Sequence, residues 1–134
     1  MLESAHPVAF LASEDLDRSA PFFGDVLGLP LASRSPYALV FEIEGASLRV
    51  TKVDGLQPQP FTVFGWQVLD IRSTIESLRD RDIVMLRYAG MDQDDDGVWT
   101  TPNGDQIAWF HDPDSNVLSV TQLATQLDLQ ARYE

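Results

Sequence analysis

Two stretches that follow one pattern carry the first chemical signal: Leu48-Arg49-Val50-Thr51 and Leu118-Ser119-Val120-Thr121. On a strand, alternate side chains share a face, so Arg49 stands with Thr51 and Ser119 with Thr121, while the leucines and valines turn away. A guanidinium and a few hydroxyls suit an organic molecule that offers a carboxylate or a carbonyl oxygen. Glu42, on a neighbouring strand candidate, is the other partner open to Arg49 and would neutralise it without any ligand. Two further groups invite a metal. His6 reads either as a single metal ligand or as a strand-edge residue beside Pro7. Asp92-Gln93-Asp94-Asp95-Asp96-Gly97 begins like a calcium loop, yet Asn103 stands where such a loop needs a bidentate Glu, and a strand with Trp99 comes next in place of a helix. That predicts a solvated loop, with weak cation binding at most. His111 reads as solvent-facing, and no Ser-His-Asp arrangement is legible.

The elements that must position these groups occur twice. Ala9–Ser13 is a short apolar strand, followed by Asp15-Leu16-Asp17-Arg18-Ser19 and by Phe22, Phe23, Val26 and Leu27 at helical spacing before Gly28. In the second half Phe64–Leu69 is the strand, Asp70 stands where Asp15 stood, and Ile71, Ile75 and Leu78 mark a helix face. After each helix the period changes from about 3.6 to 2. Leu31–Ser33, Ala38–Ile43 and Ser47–Lys52 are the strand candidates of the first half, with Glu44-Gly45 as a hairpin turn. Ile83–Leu86, Val98–Thr101, Gln106–Phe110 and Val117–Gln122 are those of the second, with a turn at Pro102-Asn103-Gly104-Asp105. The expected organisation is one domain over residues 1–134, made of module one (5–53), a Gly/Pro-marked linker (54–60), module two (61–122) and a tail (123–134). Each module reads βαβββ, and the class is α+β: a curved mixed sheet around a cleft, helices outside.

Composition narrows the function further. The 134 residues carry 21 acids against 9 bases, a net charge of −12, which repels nucleic acid and anionic membrane surfaces. The absence of cysteine excludes disulfides, thiolate metal sites and Cys nucleophiles. Neither a long apolar run nor a leader pattern occurs over Met1–Ala20, and the expected location is the cytoplasm.

Three stretches together resemble the vicinal oxygen chelate superfamily of glyoxalase I, bleomycin-resistance proteins and extradiol dioxygenases. They are Asp15-Leu16-Asp17-Arg18-Ser19; Phe22-Phe23-Gly24-Asp25-Val26-Leu27-Gly28-Leu29, with Phe23 where the family has tyrosine; and Phe110-His111-Asp112-Pro113-Asp114-Ser115-Asn116, with Ser115 where it has glycine. The resemblance spans Pro7–Gln122. It implies ligand positions on the first and last strand of each module, which fall near Val8, Arg49, Phe64 and Ser119. None is His, Gln or Glu, so the superfamily's metal chemistry is not expected, and no cofactor is.

Face parity then assembles a ligand-binding set: Val8, Phe10, Arg49, Thr51, Phe64, Trp66, Trp99, Ser119 and Thr121, with His6 as the sole metal candidate. Trp109 and Tyr88 read as packing residues. Three functions are compatible with this set. The first is a metal-independent small-molecule-binding protein whose ligand has an apolar or aromatic body and an acidic or carbonyl group. The second is a glyoxalase-like lyase, isomerase or dioxygenase with an unrecognised metal or acid/base. The third is a protein–protein interaction role with a vestigial cleft. The first is preferred, as a homodimer, since relatives commonly pair through these sheets. The tail, with Leu123 and Leu127 four apart, reads as a short interfacial helix or a frayed end.

Overall fold

The computed structural model describes residues 1–125, so the expectation for the tail falls almost wholly outside the described residues. Two compact units emerge, one formed by Met1–Pro58 with Asp112–Asn116, the other by Gln59–His111 with the chain from Val117. The break at Pro58 lies inside the expected linker.

The first unit runs β1 (Val8–Ser13), α1 (Leu16–Pro21), a π-helical turn (Phe22–Val26), β2 (Leu31–Arg34), β3 (Ala38–Ile43) and β4 (Ala46–Lys52). The second runs β5 (Thr62–Gln67), α2 (Ile71–Asp80), β6 (Trp99–Thr100), β7 (Gln106–His111) and β8 (Val117–Gln122). Each makes a four-stranded mixed sheet in the same order, β1-β4-β3-β2 and β5-β8-β7-β6, with the first strand parallel to the last. The βαβββ reading therefore holds in both halves.

Asp15 and Asp70 are the helix caps. Asp15 Oδ1 accepts from the amides of Asp17 and Arg18, and Asp70 Oδ1 from that of Ser73. Each satisfies donors that have no partner within the helix. Pro21 cannot donate and crowds the preceding turn. Beyond it the helix widens, Leu27 N donating to Phe22 O at 2.9 Å, and ends at Gly28, whose φ of 77° only glycine adopts freely. The helix signalled by Asp15-Leu16-Asp17-Arg18-Ser19 and by the spacing of Phe22, Phe23, Val26 and Leu27 thus runs from Leu16 and continues as a π-helical turn.

The alternation of the closing strands decides what is core. Leu48 and Val50 lie in register with Phe41 and Leu39 and, with Leu11 and Phe23, are buried on one face of the first sheet. Leu118 and Val120 do the same in the second, over Phe110, Ala108 and the buried stripe Ile71, Ile75 and Leu78 of α2.

Two expectations are corrected. Ile83–Leu86 is not a strand: it makes a single ladder-like bond, Leu86 N to Trp109 O at 2.8 Å. The Gln93 side chain takes up the neighbouring groups instead, accepting from Tyr88 N at 2.7 Å and donating to the carbonyls of Leu86 and Gly97 at 3.0 and 2.8 Å. A side chain has replaced an edge strand. The second correction concerns β5. Thr62 pairs with Val117 but Phe64 with Leu118, so a bulge at Val63 inverts the facing of the rest of the strand. Gly65, not Phe64, stands beside Ser119.

The turn Asp112–Asn116 belongs to the first unit and satisfies nearly every polar group it buries. Asp112 Oδ1 accepts from the amides of Asp114 and Asn116, both at 2.9 Å, and Asn116 Nδ2 donates to Asp112 Oδ2 and to Ala12 O. The Asp114 carboxylate, almost fully buried, accepts from Arg18 Nη2 at 2.7 Å, from Glu14 N at 3.0 Å and from Ser19 Oγ at 3.3 Å. Ser115, at φ 66°, takes the left-handed conformation for which the superfamily pattern has glycine.

Two outcomes are expected in urea unfolding. Gly65→Ala loses about 1–3 kcal/mol, because its Cβ would overlap Ser119 Oγ and stand 2.8 Å from the Ser119 carbonyl oxygen; Ser119→Ala relieves this only in part. Asn116→Ala loses a similar ~1–3 kcal/mol by leaving Ala12 O and Asp112 Oδ2 without that donor.

Candidate functional site

The face of the first sheet opposite the buried leucines carries Val8, Phe10, Val40, Arg49 and Thr51. Phe10, Arg49 and Val40 stand side by side across β1, β4 and β3, and Phe10 is 65 % exposed. Arg49 is half-buried, and its side chain makes no hydrogen bond or ion pair among the described residues. Glu42 is not its partner. Its register neighbour is Ser47, and Glu42 Oε1 accepts from Ser47 Oγ at 3.2 Å while Oε2 lies 3.8 Å from His6 Nε2. His6 Nε2 also meets Ser47 Oγ at 2.9 Å. The two readings open for Arg49 therefore separate: Glu42, the carboxylate weighed as its partner, is engaged by Ser47, and the cation is left beside an exposed ring. Thr51 Oγ1 is buried with no hydrogen-bond partner among the described residues.

The corresponding face of the second sheet holds Gly65, Trp99, Trp109, Ser119 and Thr121. Ser119 is in register with Trp109 and Gly65, and Thr121 with Ile107, whose other neighbour is Trp99. Phe64 and Trp66 leave the predicted set: they pair with Leu118 and Val120 on the covered face, and Trp66 stacks on Phe110 with centroids 6.4 Å apart. The sequence did contain a signal, since a glycine inside a strand marks a bulge or a close backbone approach. Trp109 and Tyr88, read as packing residues, line an open cavity of about 670 Å³ together with Trp99, Thr62, Met91 and Asp92. Trp109 Nε1 donates to Thr62 Oγ1 at 2.9 Å.

The donor set does not fit a divalent cation. Val8, Arg49, Phe64 and Ser119 offer neither imidazole nor carboxylate. His6 has one carboxylate near it, and the Arg49 guanidinium shares the same sheet face. Among the described residues no three His, Asp or Glu side chains converge. The loop resembling a calcium site is committed otherwise. Asp94 Oδ1 accepts from the amides of Asp96 and Val98, its Oδ2 meets Arg72 Nη2 at 2.7 Å, and Asp96 bridges Arg72 and Arg79 at 2.8 and 2.9 Å. These arginines hold both carboxyls below the usual carboxylate range, the Arg72 hydrogen bond being the largest cause for each. His111 is exposed, as expected.

No family model matches the chain, and no curated protein does. Solved structures do. Lactoylglutathione lyase from Agrobacterium tumefaciens superposes with a TM-score of 0.69 over 89% of this chain and 93% of that one, at 18% identity. A glyoxalase/bleomycin resistance protein/dioxygenase from Alicyclobacillus acidocaldarius gives 0.66 over 92% and 95%, also at 18%. A glyoxalase-related enzyme from Fulvimarina pelagi gives 0.66 over 89% and 88%, at 20%. The chain has the vicinal oxygen chelate fold. Identities this low establish the fold alone and leave the chemistry of this chain to its own residues.

The Arg72 network supplies a pH test with a definite sign. A carboxyl whose folded pKa is depressed contributes stability above its unfolded pKa of about 4 and loses it as pH falls through the folded value. All three side chains are about 40% exposed, so the contribution is at most ~1 kcal/mol and is weakened by salt. The stability difference between the protein and Arg72→Met is expected at pH 7 and shrinks as pH falls below about 4, as urea midpoints across that range will report.

Proposed function

We propose that this protein is a metal-independent small-molecule-binding protein of the glyoxalase/bleomycin-resistance type. Its ligand is an organic anion with an apolar or aromatic body. The observation that carries the reading is Arg49: a half-buried guanidinium without an ion partner among the described residues, set between Phe10 and Val40 on an open sheet face. A cation so placed has lost part of its hydration and gains from a carboxylate that brings its own apolar surface for Phe10. Val8 extends the apolar patch, and Thr51 Oγ1, buried without a partner among the described residues, adds a hydrogen-bonding group on the same face. Trp99, Ser119 and Thr121 form the equivalent face of the second sheet. A homodimer in the cytoplasm, without nucleic acid or membrane as partner, completes the proposal; the net charge of −12 supports the last two exclusions. No helix among the described residues is long and apolar enough to cross a membrane.

The test has two parts. Calorimetric titration with aryl carboxylates such as benzoate and phenylacetate, at low salt, is expected to show saturable binding. Arg49→Met should weaken it about ten- to a hundredfold, the worth of a hydrogen bond to a charged group. Equal binding by that variant overturns the anchor. Metal content by mass spectrometry after soaking in zinc, nickel, manganese and iron(II) is expected to stay under about a tenth of an equivalent. Near-stoichiometric retention that disappears in His6→Ala overturns metal independence.

A further inference from the structure

The cavity of the second unit has the opposite electrostatic character from the Arg49 face. Its walls are the rings of Tyr88, Trp99 and Trp109, supplied by a loop, by β6 and by β7. Tyr88 stands at 88° to Trp109 with centroids 5.5 Å apart, and Trp99 is inclined 30° to Trp109 at 6.5 Å. Two of the three ring-bearing residues are held by hydrogen bonds. Trp109 spends its only donor on Thr62 Oγ1, and the Tyr88 backbone is fixed by the Gln93 carboxamide. Burial pushes the Tyr88 phenol up, so it adds no charge near neutrality.

Among the described residues no Lys, Arg or His lines this cavity, and the one carboxylate on its wall is that of Asp92. Asp92 differs from its acidic neighbours in the loop. Asp94 and Asp96 are neutralised by Arg72 and Arg79, whereas Asp92 has no cation beside it among the described residues. Ring faces attract cations through their quadrupole, a nearby carboxylate adds to that attraction, and a strongly acidic protein raises the local concentration of cations.

We propose that this cavity is a second ligand site, specific for an organic cation: an alkylated ammonium group seated against Trp99, Trp109 and Tyr88, with Asp92 as the counter-ion at the rim. An alkylated ammonium fits better than a bare one, because its methyl groups match the apolar wall and it needs no hydrogen-bond acceptors that the rings cannot supply. The site lies within the second unit and does not depend on the Arg49 reading.

Choline and its neutral isostere 3,3-dimethylbutan-1-ol separate charge from shape. Titration of the full chain by calorimetry, at low salt, is expected to give saturable choline binding at least about tenfold tighter than that of the alcohol, the worth of a partly desolvated cation–π contact. Trp99→Leu should weaken choline about tenfold and leave the alcohol within a few-fold. Asp92→Asn should weaken choline about threefold; Glu44→Gln, the same loss of charge in the exposed hairpin of the first unit, should leave it unchanged. The proposal is overturned if the alcohol binds as tightly as choline, if choline does not saturate, or if Glu44→Gln costs as much as Asp92→Asn. Because Asp92 is exposed, its variant keeps the test decisive even if Trp99→Leu loses its native circular dichroism.

Discussion

In each unit the closing strand, β4 or β8, lies between the first strand and the third, and its side chains must divide between a face that a helix covers and a face that none of its own elements covers. A central strand has no spare backbone groups, so its only freedom is which side chains it sends to which side. Leu48, Val50, Leu118 and Val120 go under the helices. Arg49, Thr51, Ser119 and Thr121 consequently stand on the open faces, whatever else the sequence does. The neighbouring strands inherit that division through their register, which makes Phe10 and Val40 companions of Arg49, and Trp109 and Gly65 companions of Ser119.

An acidic protein must account for its carboxylates, and here many of them work as backbone acceptors. Asp15 and Asp70 cap helices, Asp94 closes a loop, and Asp112 and Asp114 hold the turn that joins the first unit. Burial of Asp112 pushes its carboxyl above the usual range despite three hydrogen bonds to it, the largest cause being desolvation. Its hydrogen bonds order the backbone of the turn. The acidic sequence motifs that signal the fold are thus the ones least available for chemistry.

One architecture presents two different surfaces. The first sheet exposes a guanidinium beside a phenylalanine; the second lines a cavity with indoles and a phenol, with a carboxylate at the edge. The shared topology dictates where these groups stand and is silent on their charge, which is why superfamily members with the same strand order differ in what they do. The histidine that invites a metal reading is tied to Ser47 and Glu42 on the first of these faces, two residues along the strands from Arg49.

Much of the fold was legible because its signals are local. Cap residues, the helical spacing of Ile71, Ile75 and Leu78, and the alternation in β4 and β8 each depend on a few adjacent residues, and their doubling announced two modules. The open-face positions of Val8, Phe10, Arg49, Thr51, Trp99, Ser119 and Thr121 came from the same alternation. Tertiary structure alone decided the rest. A bulge at Val63 turned Phe64 and Trp66 to the covered face, because one extra residue in β5 inverts every side chain after it. Gln93 displaced the expected strand at 83–86, since a side-chain amide can satisfy backbone groups as a ladder does. Tyr88 and Trp109 became cavity walls through a loop's closure onto β7, and Arg49 stayed without an ion partner among the described residues because register gave Glu42 to Ser47. Local periodicity tells which way a residue faces; only the packed chain tells what it faces.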